Sequence, residues 1–138
     1  MLTGTVFAAV AADNKVAVVA AADAALPPLS AEELALIYRR QKLFVAGMRV
    51  QPVNLPAQHV LRRWFSQQLL KQAPEEMDGY WRELYFNGVV PPFVLASEEA
   101  VLRFVEATPG AIGYVSSCAL DKRVRVLMQL EGGPACSR

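Results

Sequence analysis

The apolar positions of this chain follow two rhythms. Residues 15–21, KVAVVAA, form a continuous valine-rich run. A run that short and that apolar predicts a strand covered on both faces. DAALPPLS, residues 23–30, carries two adjacent prolines and predicts a loop. Ser30 followed three positions later by Glu33 matches the capping box that opens a helix. Leu34, Ile37 and Tyr38 then recur at helical spacing, and Arg39 and Arg40 supply cations suited to a helix C-terminus.

The rhythm changes again at LFVAGMRVQPVNL, which alternates around Gly47 and predicts a strand near 50–53. Pro56 is placed for the first turn of a helix reaching about Gln72, with Val60, Leu61, Trp64, Phe65 and Leu69 on one side. Pro74 opens another helix, with Met77, Tyr80, Trp81, Leu84 and Tyr85 on its inner face and Gly88 as its stop. Both tryptophans fall on these apolar stripes and are expected to be largely buried. Pro91 and Pro92 exclude helix and predict extended chain. Ser97 caps a helix with Glu98 and Glu99 in its first turn and Val101, Phe104 and Val105 inside. Pro109-Gly110 predicts a turn into a strand over 111–115. Gly113 stands in the middle of that strand, where glycine marks a close approach by backbone or ligand. A last strand is expected over 123–130. Strands alternating with helices predict an α/β layered domain.

Length and composition narrow the picture. A chain of 138 residues, 54% hydrophobic, makes one domain with a real core. The net charge of +1 and a pI near 7.8 lack the basic face that nucleic acid requires. No apolar run reaches the roughly 20 residues that span a bilayer. The first fourteen residues, MLTGTVFAAVAADN, are rich in small apolar side chains and end their apolar part in AVAA. They are expected to be a shortened export signal cleaved near Ala11 or Ala12, which places the mature chain in the periplasm. The competing reading is an apolar first strand. Cys118 and Cys136 fit no metal motif, and with a single histidine in the chain a zinc site is not expected. A disulfide and a pair of free thiols both stay open.

The chain carries no G-x-S-x-G, P-loop or G-x-G-x-x-G pattern, so a non-enzymatic role without cofactor or metal is expected. The acidic pairs Glu32-Glu33, Glu75-Glu76 and Glu98-Glu99 each fall in the first turn of an expected helix, where the helix dipole favours them. The lone His59 reads first as a polar or capping residue. One stretch suggests a site. PVNLPAQHVLRRWF joins a strand to a helix start, where free N–H groups attract anions. Asn54, Gln58 and His59 cluster there, with Arg62 about one turn on. Strand-to-helix junctions of this kind hold ligands in open α/β sheets.

The segments LSAEELALIYRRQKLFVAGMRVQPVNLPAQHVLRRWF and YWRELYFNGVVPPFVLASEEAVLRFVEATPGAIGYVSS together resemble the phosphate-binding proteins of phosphate ABC transporters. More closely, they resemble short single-lobe relatives of that group. The resemblance runs from about Lys15 to Leu130. It implies one lobe of a periplasmic-binding-protein-like fold, a small mixed sheet flanked by helices, over 15–131, with 132–138 as a tail. It also implies that Gly110 and Gly113 serve packing. The Ser-Gly-Thr run that the phosphate binders carry at the helix start is NLPAQHVLRR here. The resemblance implies an exported solute-binding module for phosphate or another small oxyanion at Asn54, Gln58, His59 and Arg62. The alternative is an interaction module that has kept the fold, lost the ligand, and serves a transporter or sensor.

Overall fold

The computed structural model describes residues 14–136, so the expected export signal lies almost entirely outside the described residues. Seven strands and four α-helices follow one another within them. They are β1 Val16–Ala21, α1 Ala31–Tyr38, β2 Phe44–Val45, β3 Met48–Arg49, β4 Gln51–Asn54, α2 Val60–Leu70, α3 Asp78–Phe86, β5 Phe93–Val94, α4 Glu98–Ala107, β6 Ala111–Ser116 and β7 Val124–Leu130. Five strands form one mixed sheet in the order β5-β4-β6-β1-β7. β4 runs parallel to both β5 and β6, while β1 is antiparallel to both β6 and β7. The small β2–β3 hairpin stands apart, turned at Ala46 and Gly47 with positive φ at both. Positive φ at both central residues is the two-residue hairpin geometry that matches strand twist.

All six residues of β1 are buried, which is why its sequence shows no alternation. A register shift opposite Val18 and Val19 leaves Leu127 of β7 out of the ladder. The Leu127 carbonyl instead accepts from the Leu29 N–H at 3.0 Å. Arg125 fixes the same loop by donating to the carbonyls of Ala24 and Leu26.

Helices cover both faces. Alternation along β6 sends Gly113 toward α4 and Tyr114 toward α1 and α2. A Cβ on Gly113 would stand 2.5 Å from Val101 Cγ1 and 3.2 Å from Val105 Cγ2, so α4 rests directly on the bare backbone there. Gly110 makes room of another kind. Its φ is +81°, and a Cβ would lie 2.2 Å from the Arg49 carbonyl oxygen, so its close neighbour is the hairpin backbone rather than a helix.

The capping box at Ser30 and Glu33 forms, and Ser97 caps α4 by accepting from the Ala100 N–H at 3.0 Å. Glu98, in the first turn of α4, also accepts from the Ser116 N–H at 2.6 Å, clamping the helix start to the end of β6.

Several expectations are corrected. α2 starts at Val60, not at Pro56, because Pro56 instead closes a turn whose carbonyl accepts from the His59 N–H at 2.9 Å. It ends at Leu70, where Lys71 takes a left-handed conformation at φ 61°. Pro74 opens a four-residue 3-10 turn, Pro74–Met77, before α3 begins. Trp64 and Trp81 are only partly buried against the core, and α3 has no fully buried residue. Tyr85 is 65% exposed rather than inward-facing. α3 stands at the periphery of the core, reaching it through the partly buried Tyr80 and Trp81. It is held by polar contacts, with Tyr80 Oη donating to the Arg39 carbonyl at 2.6 Å and accepting from Gln41 at 3.1 Å.

Cys118 and Cys136 are joined by a disulfide, with Cα atoms 6.2 Å apart. The residues before Cys136 are docked as well, since the Gly133 N–H donates to the Asn14 carbonyl at 2.7 Å.

The contrast between two glycines makes a test. Gly113→Ala forces a methyl into Val101 and is expected to cost about 1–3 kcal/mol, the range for overpacking a core. Gly79, inside α3 with open space around it, is expected to gain about 0.5–1 kcal/mol on replacement by alanine. Urea denaturation of both variants against the parent measures the two shifts. Equal stabilities would contradict the packing of α4 on β6.

Candidate functional site

The C-terminal ends of β4 and β6 meet over a buried aromatic cluster. Phe65 of α2 stacks on Tyr114 of β6 with ring centroids 3.8 Å apart, and Tyr38 of α1 meets the Phe65 edge at 5.0 Å. All three side chains are buried. Each phenol finds partners on the strand ends, as buried hydroxyls must. Tyr38 Oη donates to the Val53 carbonyl at 2.9 Å and lies 3.3 Å from the Ile112 carbonyl. Tyr114 Oη accepts from the Leu55 N–H at 3.3 Å and donates to Asn54 Oδ1 at 2.8 Å. Burial pushes both phenols above their ordinary range, so both hydroxyls stay protonated and remain donors.

This arrangement orients Asn54. The Tyr114 hydroxyl gives its one proton to Asn54, which presents its carbonyl oxygen to it. The Asn54 amide NH2 is therefore turned the other way. Asn54 is 8% exposed, and its side chain lines an open cleft of about 350 Å³ beside β4. The Asn54 main chain is also fixed, because its carbonyl accepts from the Leu95 N–H at 2.7 Å just past β5.

Arg62 stands on the same wall. Its Nη1 donates to the Leu55 carbonyl at 2.8 Å, which holds the guanidinium over the strand end and leaves its other N–H groups for the cleft. Gln58 lines the cleft as well. His59 does not. Its ring is the N-cap of α2, with Nδ1 accepting from the Leu61 N–H at 3.1 Å. The structure thus brings Asn54, Gln58 and Arg62 together on one cleft and places His59 in the support of the helix start. The first turn of α2 carries no acidic residue, unlike those of α1 and α4.

The rest of the lining was not legible in the sequence as part of a site. It is built by Trp81 and Asp78 of α3, by Glu75 and Pro74 of the 3-10 turn, and by Pro91 and Pro92 before β5. Glu75 is already engaged. Arg63 forks onto both its carboxylate oxygens at 2.7 and 3.0 Å and holds its pKa down at about 2. The signals for these residues in the chain were the helical spacing of Trp81, which reads equally well as core, and the Glu75-Glu76 pair, which reads as a helix first turn.

No protein-family profile matches this sequence, and no curated protein matches it. Solved structures do match. A crystal structure of an ABC-type phosphate transport receptor from Vibrio cholerae superposes with a TM-score of 0.64 at 18% identity, over 80% of this chain and 44% of that one. A putative phosphate ABC transporter substrate-binding protein with bound phosphate from Clostridium perfringens gives a TM-score of 0.65 at 16% identity, over 80% and 43%. PstS from Borrelia burgdorferi gives 0.60 at 15%, over 80% and 45%. The chain spans less than half the length of these structures. Its fold is that of a single periplasmic-binding-protein-like lobe, a mixed sheet flanked by helices.

The Tyr114 hydroxyl is the part of this cluster most open to test. Tyr114→Phe leaves the Asn54 carbonyl and the Leu55 N–H without their buried partner. A loss of about 1–3 kcal/mol in urea denaturation is expected. A variant as stable as the parent would show that neither group depends on the phenol.

Proposed function

We propose that this chain is an exported solute-binding module that takes a small oxyanion, phosphate or a close relative, in the cleft beside β4. The observation that carries this reading is the convergence of the Asn54 amide and the Arg62 guanidinium on one wall of that cleft. Both are held in place from behind, by Tyr114 and by the Leu55 carbonyl. Preset donors of this kind suit an anion, because their orientation costs little at the moment of binding. The start of α2 adds the positive end of a helix dipole. Gln58 adds an adaptable amide, and His59 contributes by fixing the first turn of the helix. The cleft volume of about 350 Å³ lies within the size range of small-molecule sites. The likeness of the fold to phosphate transport receptors agrees with this reading.

Binding is non-covalent in this reading, with no enzymatic step, cofactor or metal. The partner beyond the solute is a transporter or sensor. Export is supported by the Cys118–Cys136 disulfide, since such bonds persist in oxidising compartments, and by the small-residue apolar start of the chain.

Affinity for phosphate is expected to be weak and to fall with added salt, because the cleft is open on one side. In amide NMR titrations with phosphate and sulfate, shifts are expected to concentrate between Asn54 and Arg62. Arg62→Ala should weaken binding about tenfold or more. Arg123→Ala should leave it unchanged, since Arg123 is already committed to Glu99 and Asp121. Absence of shifts in that segment at millimolar anion would remove the anion-binding reading.

Localisation has its own measurement. The natural product is expected in the periplasmic fraction, with an intact mass showing processing before Lys15. Recovery from the cytoplasm with Leu2 to Ala12 retained would overturn export.

A further inference from the structure

Side chains of opposite charge line the cleft, from the β4–α2 junction and from α3, and a simple anion uses only one set of them. Asn54 and Arg62 donate hydrogen bonds. Asp78 lines the same cleft from the start of α3, exposed and with no ion pair among the described residues. Glu75 beside it is neutralised by Arg63, which leaves Asp78 as the uncompensated carboxylate of that set. Arg62 and Asp78 line the same cleft and form no ion pair with each other. Trp81 lines the cleft as well, and an indole face attracts cations more strongly than other aromatic rings do.

A plain oxyanion at Arg62 feels Asp78 as repulsion and gains nothing from Trp81. A ligand carrying an ammonium a few bonds from its oxyanion satisfies both sets at once. We infer that the preferred ligand of this cleft is a small zwitterion, its oxyanion held by Arg62 and Asn54 and its primary ammonium set between the Asp78 carboxylate and the Trp81 ring. The inference rests on the anion-binding reading above and adds the second charge of the ligand. The asymmetry also orients the ligand, because exchanging its ends places like charges together.

Calorimetric titration of the full chain with aminoethylphosphonate and ethylphosphonate isolates the ammonium, since the two differ only in that group. Aminoethylphosphonate is expected to bind about tenfold more tightly or better. Asp78→Asn should abolish that preference while leaving ethylphosphonate binding equal or slightly stronger, as a repulsive charge has been removed. Asp78 is exposed, so the variant is expected to fold, and circular dichroism checks it. Arg62→Ala should weaken both ligands. Equal affinity of the parent for the two compounds overturns the zwitterion inference and leaves the oxyanion site standing. A preference that survives Asp78→Asn overturns it too. If neither compound nor phosphate binds at millimolar concentration, the anion-binding reading and this inference fall together.

Discussion

Two buried phenols tie this molecule together. Tyr38 comes from α1 and Tyr114 from β6, and both end on the backbone and side chains where β4 runs out. Phe65 of α2 fills the space between them. Strand ends leave backbone groups that need partners, and an unpaired one in a dry environment costs free energy comparable to a lost hydrogen bond. Here hydroxyls supply the partners at Val53 and Leu55. That requirement joins two helices and two parallel strands at one point, and it gives the candidate site its rigid floor.

Because the floor is rigid, the side chains above it are preset. Asn54 is both the last residue of β4 and the acceptor of the Tyr114 proton, so the direction of its amide follows from packing beneath it rather than from a ligand. Arg62 is steered by a main-chain carbonyl from the same strand end. Sites held from behind in this way lose little freedom when they bind. The part of the lining that α3 supplies is different in kind. α3 has no buried residue and is attached mainly through Tyr80 and Trp81 at its edge. One part of the lining is thus fixed by the core and the other by a peripheral helix. The peripheral helix is therefore the element with the most freedom to adapt the shape of the cleft, since sparse apolar burial marks the low-stability parts of a fold.

Disulfide and sheet cooperate at the far end of the chain. The bond from Cys118 to Cys136 fixes the residues that follow β7, and the Gly133 N–H extends that attachment to Asn14 before β1. β1 is thereby held at its entry as well as along both edges by β6 and β7.

Local pattern decided much of the fold without help. The unbroken valine run of β1, the Ser30–Glu33 box, the Ser97 cap and the Gly88 stop are all consequences of near neighbours in the chain, where period, capping and glycine geometry act directly. The junction at Asn54 to Arg62 was visible for the same reason, as a strand delivering the chain to a helix start. Tertiary structure decided the rest. Whether Trp81 and Tyr85 turn inward depends on whether a second layer covers α3, and their helical spacing is the same in either case. Whether Cys118 meets Cys136 depends on where β7 returns the tail. The start of α2 is the exception, a local choice that periodicity left open: the Pro56 carbonyl takes the His59 N–H and the His59 ring takes the Leu61 N–H, so the helix begins at Val60. The acidic and aromatic part of the lining lies on another helix, and only the folded chain brings it to the cleft that Arg62 lines. Periodicity reports which face of an element is apolar, while the partner of that face is fixed by contacts distant in sequence.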